Sequence, residues 1–293
     1  MKTGNAARPA TSVLADVRAV GELGESQMRK KKRIFEIGEK LPRKAFLGVS
    51  IATFLTLAIL WWVVCESGLV PPIFLPSPDS VASRMTSLAA DGTLWDDTKV
   101  SVYRIVTAFV LASVMAIPAG VMLGTYNVWR AMFEPLVDFI RYMPVVAFVP
   151  LTILWAGTGD IQKFLIIWIG TFFQQVLMVM DAVKRVPGDF VGLGRTLGLP
   201  GRKIIWRIVL PAALPEIWDT LRISLGWAWT WLVVAELVAA TSGLGYRIVV
   251  SQRYFQTDAI IGYILLLGLF GLVTDQIMKN LEKVLFRYKE RSK

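Results

Sequence analysis

Histidine is absent from the 293 residues, and cysteine occurs once, as Cys65. One cysteine excludes an intramolecular disulfide, and without histidine the commonest metal ligand is gone. No structural zinc site and no histidine-ligated haem or copper centre can be assembled from such a chain. A glycine-rich phosphate loop of the GxxxxGK[ST] type is also missing, so the chain offers no nucleotide site of that kind. Charge is scarce as well, at 18% of residues against about 25% in soluble domains. Apolar residues fill the space: 55% of the chain is hydrophobic.

That apolar material comes in blocks. Ala45 to Val64 reads AFLGVSIATFLTLAILWWVV, a charge-free run long enough to cross about 30 Å of hydrocarbon as a helix. Five further segments follow, near Tyr103–Thr125, Leu136–Trp155, Phe164–Val183, Ile217–Ala240 and Ala259–Met278. The chain therefore reads as an all-α integral membrane protein with six transmembrane helices. The net charge of +10 would suggest nucleic acid in a soluble chain, but here it reports which loops hold the cations, and no nucleic-acid partner is expected. Residues 1–44, the 184–207 segment, the C-terminus and Arg130 together hold 24 of the 32 lysines and arginines. Cytoplasmic loops carry that excess, so both termini are expected in the cytoplasm, which requires an even number of spans.

Residues 1–44 lack the apolar core of a signal peptide and read as a basic cytoplasmic tail lying near lipid headgroups. Residues 45–285 form the expected membrane domain, and 286–293 a second cytoplasmic tail. Between the first two spans, ESGLVPPIFLPSPDSVASRM should run extended until a capped helix starts near Pro78–Asp79.

The most informative stretch is GRTLGLPGRKIIWRIVLPAALPEI, from Gly194 to Ile217, which interrupts two apolar runs with cations, glycines and prolines. Asp189 can cap a short helix that Gly198 ends. Phe190, Leu193 and Leu197 recur at helical spacing on one face. After the Pro200–Gly201 turn, a second short helix should set Ile204, Ile205 and Ile208 opposite Arg202, Lys203 and Arg207. Pro211 is expected to end it. A loop that only greets phospholipid has no need of that punctuation.

The spacing Gly198, nine residues, Ile208, one residue, Leu210–Pro211 resembles the cytoplasmic-loop signature of permease subunits of bacterial ABC importers. LPSP at Leu75–Pro78, MPVVAFVPLTILWAGTGD at Met143–Asp160 and AELVAATSGLGYRI at Ala235–Ile248 are similar to the nitrate/sulfonate/taurine/bicarbonate branch of that family. The resemblance implies a type I importer (MetI-like) permease fold in the bacterial inner membrane. It also implies a coupling elbow at Gly192, Leu193, Gly194, Arg195, Thr196, Leu197, Gly198, Ile208, Leu210 and Pro211. Two ABC ATPase subunits, a periplasmic substrate-binding protein and a second copy of the chain would be the partners. No cofactor is implied in this chain, since ATP and Mg²⁺ would sit on the partner ATPase. The implied substrate is a small anion, an alkanesulfonate or taurine first, then nitrate, bicarbonate or cyanate. At the Glu-Ala-Ala positions of the signature stand Gly192, Leu193 and Gly194. The acid is missing, and two glycines weaken the first elbow helix.

Polar groups inside spans are functional candidates because lipid makes them costly. The translocation-path candidates are Arg141, Gln174, Gln175, Trp227, Trp229, Trp231 and Glu236. Each has a structural alternative. Arg141 can pair with Asp138 at i−3, and one of the adjacent glutamines can bond a neighbouring helix. The tryptophans can be core, with Trp227 and Trp231 on one face and Trp229 on another. Glu236 can line the path or accept hydrogen bonds from a neighbour, and the residues favour neither. Arg104 is expected to snorkel to the outer interface. An ion-coupled carrier or channel with Glu236 as proton carrier is the alternative function, and an intramembrane enzyme ranks last.

Overall fold

The structure is a computed structural model that describes residues 42–286. The expected basic tail up to residue 41, including Lys31, and the C-terminal residues 287–293 lie outside the described residues. The chain divides into two compact units at Leu60/Trp61. The first helix, α1 (Arg43–Glu66), contains the charge-free run and matches the expected first span.

Beyond it, Ser77 caps α2 (Pro78–Ala90) by accepting the Ser80 N–H, with Pro78 in the first turn where its missing donor costs nothing. Next come α3 (Thr93–Thr125), α4 (Asn127–Arg141), a 3₁₀ turn (Val145–Phe148), α5 (Val149–Ala156) and α6 (Asp160–Lys184). The elbow contains α7 (Gly188–Thr196), α8 (Gly201–Ile204) and a π-helical turn (Ile205–Val209). The last three helices are α9 (Leu210–Ala239), α10 (Leu244–Arg253) and α11 (Thr257–Leu285).

The bundle is organised around α3 and α6, which run parallel, with Arg104 meeting Asp160 at one end and Gly124 packed on Val183 at the other. Ala108, Ala112 and Ala116 are fully buried at four-residue intervals, and Gly120 and Gly124 continue the same stripe. Small residues let backbones approach where lipid offers no hydrophobic drive for association. A Cβ on Gly120 would lie 2.6 Å from the Cβ of Val179, and one on Gly124 would lie 2.7 Å from that of Val183. α9 runs antiparallel to both and completes the core through Ala228, Trp229 and Leu232.

Three expectations need correction. The segment near Leu136–Trp155 is not one straight span: α4 and the Val145–Ala156 helical stretch meet at 87°. Pro144 removes a donor and pushes Met143 out of helical geometry, which breaks the apolar run. Among the described residues, five helices are long and apolar enough to cross a membrane, and the bent pair makes six if it counts as one span. Pro211 ends nothing, since the helical path continues from Gly201 to Val238. Pro211 falls in the first turn of α9, directly after the π turn, whose wider ladder accommodates the ring. Finally, α3 begins ten residues before the expected Tyr103, and α10 has no counterpart among the expected segments.

Candidate coupling elbow and translocation site

The elbow is a built corner. α7 starts after Pro187, so Asp189 falls in the first helical turn rather than capping it, where its charge still favours the helix dipole. Gly198 has φ +68°; its N–H donates to Arg195 O (2.9 Å), and the Leu199 N–H reaches Gly194 O (3.0 Å). This paired arrangement is a Schellman stop, which needs the left-handed residue that glycine supplies. Gly194 is buried against α8 and the π turn, where a Cβ would lie 2.8 Å from Ile208 Cδ1. The glycine that weakens α7 locally therefore allows its close packing. Ile204 is buried, while Arg202, Lys203 and Arg207 are exposed. Phe190, Leu193 and Leu197 form the expected face, and all three point away from the bundle, 46%, 59% and 68% exposed.

At the other end of the bundle the polar residues are enclosed. Arg104 does not snorkel; it is buried. Its Nε donates to Asp160 (2.8 Å), and its Nη1 donates to Glu236 (2.9 Å) and Ser242 O (2.7 Å). Glu236 also accepts from Ser101 Oγ (2.8 Å) and from the Gly245 N–H (2.8 Å). The Leu244 N–H donates to Ser101 Oγ, and the Gly243 N–H to Asp97, each at 2.9 Å. Asp97 in turn holds Arg247. Gly243 is at φ +112°, packed against the Glu236 carboxylate with no room for a Cβ. The cluster thus fastens α3, α6 and α9 to the start of α10. Lys163 is also buried and donates to Thr158 O.

Between these ends lies a cavity of about 270 Å³. Arg141, Gln174, Trp227, Thr230 and Trp231 line it, together with Gly170 and apolar neighbours. Four of the seven path candidates therefore meet there. Arg141 stands at the break after α4 rather than early in a continuous span. Its Nη2 donates to Asp138 (2.9 Å) and to Tyr142 Oη (3.1 Å). Trp231 lies across Gly170, where a Cβ would be 2.5 Å from its indole. The remaining three candidates are elsewhere. Gln175 donates to Ser224 (2.9 Å) and Ser113 (3.2 Å), joining α6 to α9 and α3. Trp229 stacks on Phe270 and donates to Thr274. Glu236 belongs to the enclosed cluster. Thr230, Gly170 and Arg104 were not among the sequence candidates; the i+3 spacing from Trp227 could have indicated Thr230.

Parallel and antiparallel spans joined by a basic, glycine-stopped elbow make an all-helical membrane bundle. The fold agrees with a solved structure of the MetNI methionine ABC transporter in an inward-facing form. That match has a TM-score of 0.58 at 19% identity and covers 69% of this chain and 97% of that one. The family model described as "Binding-protein-dependent transport system inner membrane component" matches residues 116–287, and the chain belongs to that family. It is 32% identical to the taurine transport system permease protein TauC of Escherichia coli over 240 residues, 80% of this chain and 87% of that one. It is 30% identical to the putative aliphatic sulfonates transport permease protein SsuC of Bacillus subtilis, over 78% and 83% of the two chains. The protein is thus a multi-pass inner-membrane ABC importer permease, working with a separate ATPase and a binding protein. It is a transporter subunit, not an enzyme. Family membership and the closed bonding of Glu236 set aside the ion-coupled carrier.

Proposed function

We propose that the chain passes a small organic anion, an alkanesulfonate or taurine, from a periplasmic binding protein to the cytoplasm by alternating access. The named relatives and the motif resemblance support the substrate class, with nitrate, bicarbonate or cyanate next. Two copies related by a two-fold axis would enclose the path, since two-fold pairing is the commonest closed symmetry. The domain plan remains tails at 1–44 and 286–293 around a membrane unit at 45–285. Both termini and the elbow face the cytoplasm, as the distribution of cations indicates. Impermeant thiol labelling of intact cells in a Cys65→Ser background tests that orientation. Cysteines at Asp91 and Gln252 should label from outside, and labelling at Arg202 would overturn the topology.

The observation that carries the coupling role is the exposed apolar face of Phe190, Leu193 and Leu197 on a rigidly stopped helix. An apolar patch so placed suits the groove of a separate ATPase, and a packed corner transmits a rigid-body motion that a loose loop would absorb. Gly198→Pro removes the corner, because proline holds φ near about −65° and cannot reach the left-handed region. In proteoliposomes with the ATPase and binding protein, that variant should hydrolyse ATP without moving taurine. Normal coupling in Gly198→Pro would refute the role.

A further inference from the structure

The cavity and its surroundings contain pairs of near neighbours whose bonding differs. Gln175 donates to two serines, but Gln174, which faces the cavity, makes no side-chain hydrogen bond to a described residue. Trp229 donates to Thr274, but Trp227 and Trp231 have no acceptor among the described residues. Thr171 and Thr274 bond back to their own helices, whereas the Thr230 hydroxyl in the cavity does not. The Nε of Arg141 is buried and unpartnered, although Nη2 is held twice. Buried polar groups are ordinarily satisfied, so the orphaned Nε of Arg141 beside this space points to a ligand that accepts; Gln174 and Trp231 are half-buried and Thr230 and Trp227 exposed, donors free to turn to the same ligand.

We infer that this cavity is a resting site for the transported anion inside the permease, so that the permease as well as the binding protein selects substrate. The inference rests on the proposed anion transport. Arg141 supplies the cation, oriented by Asp138 and by the face of Tyr142, 4.8 Å from the guanidinium carbon. Gln174, Thr230 and the indole N–H groups supply neutral donors for the remaining oxygens. The faces of Trp227 and Trp231, with Ile140, Val145, Ile169 and Phe173, form an apolar wall. At about 270 Å³ the space falls just short of the 300–1,000 Å³ of drug-sized sites, which suits an oxyanion head with a short tail. A bare inorganic anion would leave the indole wall without a contact. The site therefore favours a small sulfonate over nitrate.

The test uses the complete transporter in proteoliposomes with radiolabelled taurine. Arg141→Gln should raise the KM for binding-protein-delivered taurine about ten- to hundredfold, the cost of losing a charge-assisted hydrogen bond. Affinity of the isolated binding protein cannot change. Asp138→Asn serves as the structural control, because it removes the ion pair while leaving the cation in the cavity. If both variants fail equally, Arg141 is a structural residue and the site is rejected. If Asp138→Asn transports near normally and Arg141→Lys recovers part of the loss, the site stands. Trp227→Ala should selectively raise KM for butanesulfonate over methanesulfonate, and a uniform change would argue against the indole wall. Unaltered KM in Arg141→Gln overturns the site alone. Failure of the intact protein to carry any of these anions, while carrying an uncharged solute, would instead overturn the function on which it rests.

Discussion

Arg104 and Arg141 are two arginines within the helical region, and their bonding is opposite. Arg104 meets Asp160, Glu236 and Ser242 O, and its neighbours Ser101, Gly243, Leu244 and Gly245 interlock around it. Arg141 is held at one nitrogen and keeps a buried Nε unpartnered beside a cavity. The difference separates two uses of a costly cation. A charge whose partners all belong to the protein fastens helices, because removing any partner strands the others. A charge with donors to spare is available to something that arrives. Exposure differs in the same sense: the Arg104 side chain is 5% exposed and that of Arg141 30%.

The largest effect should come from breaking the satisfied end. Glu236→Ala leaves Arg104 short of its internal acceptor and frees the Gly245 N–H, at a cost of about 3–5 kcal/mol for a broken buried pair. The unfolding midpoint in detergent and the yield from membranes should both fall sharply. Glu236→Gln, which keeps the volume, should fall less. If Glu236→Ala is as stable as the parent chain, the cluster is not a fastening and the comparison collapses.

The two ends were unequally legible in the sequence. Gly198, Pro200 and Gly201 are local signals, and each acts on its own few residues, so the corner of the elbow could be read directly. Its continuation could not, because whether Pro211 stops a helix or begins one depends on the π turn before it. Pro144 was legible in principle, but an apolar run long enough to span suppresses the reading of one proline. Arg104 reads as an interfacial residue in the sequence because its partners, Asp160 and Glu236, lie 56 and 132 positions away. Only packing brings them together. Glu236 stands out for its cost in lipid, yet cost does not say whether the compensating group is a neighbour or a passenger. The adjacent glutamines show the same limit: periodicity separates Gln174 from Gln175 without saying which one faces the cavity.

A smaller effect should follow at Gln175. Replacing it with Leu removes two donors that reach Ser224 and Ser113, and hydrogen bonds between membrane helices are modest. The expected loss is roughly 1 kcal/mol of stability, read as a lowered unfolding midpoint. Taurine KM should stay near normal, since the side chain points away from the cavity. A large KM change with no loss of stability would move the path to the other side of α6.

The smallest stability effect is expected one residue earlier, and it sharpens the comparison most. Gln174→Leu removes no hydrogen bond made to a described residue, so the folded protein should be within about 0.5 kcal/mol of the parent. If the amide donates to a bound anion, the loss appears only in transport. A neutral hydrogen bond of about 0.5–1.5 kcal/mol corresponds to a two- to tenfold rise in taurine KM. The two glutamines would then give reciprocal results from the same chemical change: stability lost and transport kept at Gln175, stability kept and affinity lost at Gln174. Identical side chains at consecutive positions share lipid depth and helix propensity, so only the direction each one faces can produce that exchange. Equal behaviour of the two variants in both measurements would mean that unsatisfied donors do not mark the path, and Arg141 would lose its distinction from Arg104.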